Sequence, residues 1–472
     1  MISNYKFNNL FTNCLIVFIS INLWYNKSMK TLQSSTPPNY RSYLALSIPL
    51  IISTVTTPLL GAVDTAVVGH LSSSIYIGGV AIGTLIFNTL YWLFGFLRVS
   101  TSGFAAQAKG AGELERGFSE LVRPTIIALL IGFLFIVLQY PILQGVLAWI
   151  RPDADIREQA SIYFHIRIWG APVTLLNYVI LGWLIGMAHV RQTLFVQIGI
   201  NVLNMILAIV FVHVFHWQVA GVASATLIAE IIGLVFGIFL ICRSPYFKWG
   251  SISQAGLFNR EALRRMISVN SDLFIRTICL LAMFNIFTAN STSFGPEMLA
   301  ANAILLQVHY IMAYFFDGFA NASSIYAGQA GGSRNPLLLR QTIRWSWYSS
   351  FLPALLIVIV YWVFHQPLLG LFTDSASTIA LANEYSPWLL LFPLVTGAGL
   401  VFYGLFTGLS VTAPIRNSMI ISFVLFVAVL WIAVPLYGNH GLWLAFIVFG
   451  LARSVFLLIR LPRLLEAVPT KS

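Results

Sequence analysis

Long apolar stretches separated by short polar loops run along most of this chain. From residue 43 onward they predict twelve membrane-spanning helices, because a helix needs about 20 apolar residues to cross a bilayer. The first six are predicted at 44–69, 76–101, 122–147, 161–187, 193–215 and 218–242. The second six are predicted at 267–292, 298–326, 343–365, 383–408, 415–437 and 440–461. Prolines inside these stretches are interpreted as tolerated kinks: Pro49, Pro58, Pro172, Pro393 and Pro435.

The composition agrees with a membrane protein. Only 9% of the 472 residues are charged, against about 25% in soluble domains, and the mean hydropathy is +0.85. Such a chain cannot cover a water-facing surface, which excludes soluble enzymes, disulfide scaffolds and disordered proteins. The short alternating segments typical of a transmembrane β-barrel are missing from the sequence. The predicted class is therefore an all-α polytopic membrane protein.

The start of the chain stands apart from the predicted spans. An apolar stretch at 10–25 is followed by the basic residues Lys27 and Lys30. It could be a short signal-like or interfacial segment, although no small-residue cleavage site follows it. It could equally be an upstream extension, with Met29 as the true start. We treat residues 1–40 as an N-terminal extension.

The positions of the basic residues predict the orientation in the membrane. With both termini in the cytoplasm, nearly all Lys and Arg residues of the loops fall on the cytoplasmic side, and only Arg151 and Arg157 fall opposite. This is the asymmetry of the positive-inside rule. The formal net charge of +11 therefore reports topology, and no nucleic-acid partner is expected.

The two halves of the chain resemble each other. Residues 95–110 align with residues 317–332, and four identities recur at a spacing of 222: Ser102 with Ser324, Ala105 with Ala327, Gln107 with Gln329, and Gly110 with Gly332. Six spans in each half give both halves the same orientation, so the pseudo-twofold axis should follow the membrane normal. We predict an N-lobe at 41–242, a cytoplasmic loop at 243–266, a C-lobe at 267–463 and a cytoplasmic tail at 464–472.

Four acidic residues fall inside predicted spans: Asp64, Glu230, Asp272 and Asp317. A charge at the centre of a bilayer costs about 2.5–3.5 kcal/mol on insertion scales, so such residues usually face a cavity or a partner. A desolvated carboxylate at Asp64 could exchange a proton near neutral pH. A kink at Pro49 or Pro58 would give its helix two shapes. The alternative is that Asp64 is solvated at the outer end of its helix.

The other three acids have different surroundings in the sequence. Asp272 and Arg276 are four residues apart, which permits an ion pair on one helix face with either a structural or a coupling role. Asp317 has no partner nearby in the sequence, so it points into the cavity or pairs with an intramembrane base such as Arg98. Glu230 follows a run of small residues and is interpreted as structural.

Polar amides occur in two of the apolar spans of the first half. Asn201 and Asn204 share a helix face, and with Asn177 they suit interhelical hydrogen bonds or a polar cavity wall. The eight histidines show no metal-ligand spacing, and no phosphate-binding loop, H-E-x-x-H or G-x-S-x-G motif is found in the sequence. We expect no metal, no cofactor and no enzymatic activity, and transport would have to be driven by an ion gradient.

Several motifs resemble the multidrug and toxic compound extrusion (MATE) family, and its bacterial DinF subfamily most. They are Pro58-Leu-Leu-Gly-Ala-Val-Asp-Thr-Ala-Val-Val-Gly-His-Leu71, Tyr76-Ile-Gly-Gly-Val-Ala81, Leu97-Arg-Val-Ser-Thr-Ser-Gly103, Asp317-Gly-Phe-Ala320, Arg416-Asn-Ser-Met419 and Gly438-Asn-His-Gly-Leu-Trp-Leu-Ala445. The resemblance implies a monomeric exporter in the bacterial inner membrane, surrounded by lipids. It would export small organic, cationic compounds by alternating access in exchange for H⁺. Na⁺ is the second candidate for the coupling ion.

The resemblance also implies roles for particular residues. Asp64 would bind the coupling proton, Pro49 would be the hinge of the first helix, and Asn177 and Asn204 would line the N-lobe cavity. The family often has an aspartate where this chain has Ala208, so the usual acidic pair is incomplete. Asp272 and Asp317 are then the candidates for coupling in the C-lobe.

Three other functions were weighed. A lipid-linked precursor flippase would need a basic cavity, for which Arg98 and Arg167 are the first-half candidates. An intramembrane enzyme would need clustered His, Asp or Ser residues, and a receptor or scaffold would leave the buried acids unexplained.

Overall fold

A computed structural model describes residues 38–69, 74–244, 259–373 and 375–468 of the protein, without the side chains of 57–69, 74 and 114–116. Most of the predicted extension at 1–40, most of the predicted loop at 243–266 and the end of the predicted tail lie outside the described residues. Within them the chain forms helices joined by short turns, and no strand occurs there. The predicted all-α class is confirmed.

The first half of the chain forms a series of helices with two short irregular turns. They are α1 (Tyr40–Gly69), α2 (Ser74–Phe94), α3 (Phe96–Ala111), α4 (Leu114–Val137), α5 (Gln139–Ile150), α6 (Ala154–Arg167), α7 (Ala171–Gly186), α8 (Val190–Ile209) and α9 (Gln218–Cys242). A 3₁₀ turn at Ile168–Gly170 joins α6 to α7, and a π-helical turn at Val210–Val214 extends α8.

The second half forms longer, less interrupted helices. They are α10 (Arg260–Thr292), α11 (Pro296–Ser333), α12 (Pro336–Gly370), α13 (Ala376–Gly408), α14 (Ala413–Tyr437), α15 (Asn439–Arg460) and the short α16 (Pro462–Glu466).

These helices account for twelve membrane spans. Eleven helical stretches with described side chains are long and apolar enough to cross a membrane. The twelfth span is α1, whose 30 residues correspond to about 45 Å of helix. Three of the predicted apolar stretches each correspond to two consecutive helices. The pairs are α2 with α3, α4 with α5, and α6 with α7.

The helices extend beyond the predicted spans at several ends. The span predicted at 343–365 belongs to a helix from Pro336 to Gly370, and the one predicted at 298–326 continues to Ser333. Hydropathy identifies only the part of a helix that meets hydrocarbon, whereas the polar ends stay helical by backbone hydrogen bonding. Pro172 lies in the first turn of α7, directly after the 3₁₀ turn, where its missing N–H is harmless.

The repeat at a spacing of 222 residues is present in three dimensions. A Cβ atom on Gly182 or Gly186 would collide with the backbone of Arg98 or Ser102. The same collisions arise at positions 222 residues later, where Gly404 and Gly408 meet the backbone of Ala320 and Ser324. Left-handed turn residues repeat in the same way, namely Gly112 with Arg334 and Ala188 with Ser410. The two halves therefore share one packing scheme.

The halves contact each other closely at one end of the bundle, which we call the basic end. It is the end where α3, α11 and α13 finish. A Cβ on Gly110 would be 2.6 Å from Cα of Gln329, and a Cβ on Gly332 would be 2.8 Å from the carbonyl carbon of Gln107. The two contacts are equivalent under the 222-residue offset, because Gly110 corresponds to Gly332 and Gln107 to Gln329. They therefore lie around the predicted pseudo-twofold axis.

Two apolar cores support the bundle. One is built largely from the first half, around Phe164 and Trp183, and the other largely from the second half, around Phe316 and Trp443. The start of α1 is an exception, because Tyr43 packs in the second core. This part of α1 is thus attached to the opposite half of the molecule.

Candidate substrate and coupling site

Helix α1 carries Asp64 and is fixed to α11 at its other end. The Tyr43 hydroxyl lies 2.8 Å from the Ser323 hydroxyl and donates to the carbonyl of Phe319 at 3.1 Å. Thr54 donates to the carbonyl of Tyr314 at 2.8 Å. Asp64 lies in the last third of this helix, and its side chain falls outside the described part of the structure.

Pro49 is buried within α1, which is helical from Tyr40 to Gly69. Its position five residues before Thr54 places it inside the segment that packs on α11. Its role as a hinge remains a prediction.

Glu230 lies in a buried polar network of the first half. Arg167 donates to both of its carboxylate oxygens, from Nη1 at 3.2 Å and from Nη2 at 3.4 Å, and the Thr174 hydroxyl donates to Oε2. The Asn177 side-chain amide donates to the Glu230 carbonyl at 3.0 Å. The network neutralises the charge of Arg167, as the structural interpretation of Glu230 expects.

The predicted amides of α8 both face the interior of the bundle. Asn201 accepts from Gln197 at 3.4 Å, and Asn204 accepts from Thr226 of α9 at 3.4 Å. Ala208 is fully buried one turn further along. Asn204 therefore serves an interhelical hydrogen bond, one of the two uses predicted for it.

Asp272 does not form the ion pair with Arg276 that the spacing of four residues permits. Its carboxylate accepts from Arg416 Nη1 at 2.7 Å and from the Thr412 hydroxyl at 2.7 Å. Both partners belong to the start of α14, which packs against α10. The spacing of four permits a pair with Arg276, but a guanidinium from the neighbouring helix binds the carboxylate instead.

Arg276 lies against Tyr403, at the centre of a group that we call the arginine cluster: Arg98, Arg276, Arg453, Tyr403 and Asp317. The Cζ atoms of Arg276 and Arg453 are 4.6 and 5.8 Å from the centroid of the Tyr403 ring. Asp317 interacts electrostatically with all three arginines of the cluster. The structure thus brings Asp317 together with Arg276, and it supports the predicted proximity of Asp317 to Arg98.

The charges of this cluster do not cancel. Among the described span residues, Arg167 is paired with Glu230 and Asp272 with Arg416. That leaves three arginines of the cluster facing one carboxylate. Asp317 and Arg276 are only partly buried, and partly accessible charges in the middle of a span usually face an aqueous space.

The sequence interpretation missed Arg416 and the arrangement around Tyr403. Arg416 lies in the motif Arg416-Asn-Ser-Met419 at the start of the span predicted at 415–437, but its pairing with Asp272 is not indicated by the sequence. Arg453 could have been singled out by the rule applied to the acids, because it is a basic residue inside an apolar stretch. Nothing in the sequence indicates that one tyrosine ring would contact two arginines.

Polar contacts join the two halves at the basic end. The Gln107 side chain of α3 donates to the carbonyl of Gly408 at 2.7 Å and to the Ser410 hydroxyl at 2.8 Å. Its Oε1 accepts from Arg265 Nη2 at 2.8 Å. One side chain of the first half is thus held by three groups of the second half.

No group of three or more His, Cys, Asp or Glu side chains that could hold a metal ion occurs among the described residues. His189 lies between α7 and α8 at the basic end, outside the spans. Burial, aided by the charge of Lys109, lowers the pKa of its imidazole to about 4.

Known proteins resemble this chain in sequence and in fold. The MatE family model matches residues 49–210 and 273–432. DNA damage-inducible protein F of Escherichia coli strain K12 is 35% identical over 412 residues, which are 87% of this chain and 90% of that protein. Protein DETOXIFICATION 44, chloroplastic, of Arabidopsis thaliana is 23% identical and covers 87% of this chain and 80% of its own length.

Solved structures agree with the fold. One is described as the outward-facing conformation of a multidrug resistance MATE family transporter of the MOP superfamily. It superposes with a TM-score of 0.83 at 20% identity and covers 91% of this chain and 97% of its own.

Proposed function

The chain belongs to the MatE family of transporters, and from this premise we propose that it exports small organic compounds in exchange for protons. The resemblance noted in the sequence is thereby confirmed for the family. The direction, the coupling ion and the substrate class are our proposals.

The observation that carries the proposal is the contact between equivalent segments at the basic end. Gly110 and Gly332 bring α3 and α11 together with their backbones in direct contact, and such glycine contacts let helices approach closely. Two similar lobes that touch at one end can rock about the contact and open a central cavity to alternate sides.

Asp64 is the proposed proton carrier. It is an acid inside a predicted span, where a carboxylate usually faces a cavity or a partner, and the family resemblance gives it this role. Ala208 removes the carboxylate that often accompanies it in the family, and a sodium ion stripped of water needs several oxygen ligands. A single carboxylate suits a proton better than a sodium ion.

The experiment uses the purified full-length protein in liposomes. An imposed pH gradient should drive ethidium export by the wild type, and Asp64→Asn should abolish this proton-driven flux while leaving the protein folded. An imposed sodium gradient serves as the matched condition. Equal flux from the wild type and Asp64→Asn would overturn the proposed coupling site.

The proposed setting is the bacterial inner membrane, with the basic end and both termini in the cytoplasm and the protein acting as a monomer. A reporter enzyme active only in the periplasm, fused after Ser472, should stay inactive. The same reporter inserted after Arg151 should be active, and the reverse pattern would refute the orientation. We propose no enzymatic reaction and no cofactor.

A flippase for lipid-linked precursors is the second candidate. The excess of arginine over acid in the arginine cluster favours it, because a pyrophosphate group would bind to guanidinium groups. Translocation of a fluorescent polyprenyl pyrophosphate across liposomes, without ethidium flux, would support it over the exporter.

A further inference from the structure

The arginine cluster has more positive charge and more hydrogen-bond donors than its surroundings satisfy. Arg453 is 5% exposed, and its Nη2 has no hydrogen-bond partner among the described residues. The Nε of Arg276 is also buried without a partner in that part of the chain. A buried guanidinium is normally paired with an acid or with carbonyl groups, since burying unpaired polar groups is costly.

From this geometry we propose that Arg276 and Arg453 bind an anionic group, a carboxylate or a phosphate, on the exported compound. A guanidinium presents its donors in a planar fork that matches both groups. Both guanidinium groups lie close to the Tyr403 ring, with cation–π contacts of 4.6 Å from Arg276 and 5.8 Å from Arg453 to the ring centroid. One aromatic ring thus brings the two cations into the same neighbourhood.

Asp317 cannot play the part of the anion by itself. It interacts with Arg276, Arg98 and Arg453, so a single negative charge is shared among three positive ones. No ion pair of Asp317 within 4.0 Å is found in the described part of the chain. The remaining positive charge is available to a ligand in the same space.

The position of the cluster places such a ligand between the lobes. Arg98 belongs to α3 in the first half, yet it interacts with Asp317, Tyr314 and Tyr403 of the second half. It also interacts with Tyr178 of α7. Tyrosines of both halves therefore lie within electrostatic range of Arg98, and an apolar or aromatic body attached to the anionic group would suit such surroundings.

The inference rests on the proposed export function and concerns its substrate class. It adds amphipathic organic anions to the cationic substrates implied by the family resemblance, so export of ethidium and binding of an anion are separate expectations. The anionic group could come from a free organic acid or from the phosphate of a lipid-linked precursor, and the experiment separates the two sources.

The test is equilibrium binding to the full-length protein in detergent, so it does not depend on transport. The probe is 1-pyrenebutyrate, and its uncharged analogue 1-pyrenebutanol is the reference. Energy transfer from the protein's tryptophans to pyrene gives the dissociation constant of each. We expect the acid to bind at least tenfold more tightly than the alcohol to the wild type.

Substitutions then assign the difference to the cluster. Arg276→Gln and Arg453→Gln should each weaken binding of the acid about tenfold and leave binding of the alcohol unchanged. Arg276→Lys, which keeps the charge, should retain part of the preference. Arg151→Gln, at an exposed arginine outside the spans, is the control and should change neither. If Arg453→Gln does not fold, the affinities of Arg276→Gln for the acid and the alcohol still test the proposal, because Arg276 is partly exposed.

Each outcome has a clear meaning. Equal affinity of the wild type for acid and alcohol would overturn the proposal, as would an equal loss of both in the two glutamine variants, which would indicate a purely structural cluster. Displacement of pyrenebutyrate by a polyprenyl phosphate but not by benzoate would identify a lipid-linked source, and the reverse would identify a free organic acid. If the wild type shows no proton-driven flux but still binds the acid more tightly than the alcohol, the transport proposal is refuted and the proposed anion site is not.

Discussion

Replacing Gly332 by alanine should open the basic end of the bundle. The added Cβ would lie 2.8 Å from both the carbonyl carbon of Gln107 and the amide nitrogen of Ala111. Non-bonded carbon atoms prefer about 3.5–4.0 Å, so α3 and α11 would have to separate by about 1 Å. Both obstacles belong to the backbone of a helix, which cannot rotate out of the way as a side chain could.

The separation would also break polar contacts. Gln107 donates at 2.7 Å to Gly408 and at 2.8 Å to Ser410, and lengthening these contacts by about 1 Å takes them beyond hydrogen-bonding distance. Overpacking in a tight contact costs about 1–3 kcal/mol. A penalty of about 2 kcal/mol would shift the equilibrium between closed and open basic ends roughly 30-fold towards the open form.

The assay is the distance between two spin labels at the basic end, in a background without native cysteines. Suitable exposed positions are Arg243, after α9, and Arg340, on α12. Gly332→Ala should populate longer distances than the wild type. Gly199→Ala is the matched control, because a Cβ there meets nothing within 4 Å. Identical distance distributions for the wild type and Gly332→Ala would refute the steric argument.

Two further predictions concern residues whose surroundings the structure defines. Arg416→Gln should lower the free energy of unfolding by about 1–2 kcal/mol, because buried Asp272 would keep only its bond from Thr412. Arg276→Gln should have the smaller effect. A lower melting temperature for Arg276→Gln than for Arg416→Gln would contradict the observed pairing. His189→Gln should leave the pH dependence of transport unchanged above about pH 6.5, since its lowered pKa keeps the imidazole neutral there. Between pH 6.5 and about 4 the unfolded chain binds the proton more readily than the folded protein, so acidification in that window destabilises the wild type and should do so less in the variant.

The fold was largely predictable because its main signals are local. Apolar stretches report the bilayer directly, and the prediction at 218–242 matches α9 (Gln218–Cys242) residue for residue. The repeat could also be predicted from the sequence, because close backbone contacts require small residues at a fixed spacing. The polar ends of helices carry no such signal, which is why α11 and α12 exceed their predicted spans.

The candidate site was less predictable because its partners come from distant parts of the chain. Asp272 is separated from Arg416 by 144 residues, and a nearer arginine at helical spacing offered a plausible but wrong partner. Intramembrane acids draw attention by their rarity, whereas basic residues near span ends are usually interpreted as topology signals. Arg453 therefore received no role from the sequence, although it lies inside the span predicted at 440–461.

The repeat and its exceptions have different functions. The glycines that bring helices together recur 222 residues apart, so both halves have the same contacts and can move against each other symmetrically. The charged residues do not recur: Arg276 corresponds to Thr54, Arg453 to Ile231, and Asp317 to Gly95. The duplicated packing is compatible with the proposed alternating access, while the arginine cluster belongs almost entirely to the second half. A substrate bound there would meet positive charge chiefly from one lobe. Two lobes with identical charges could not provide that asymmetry.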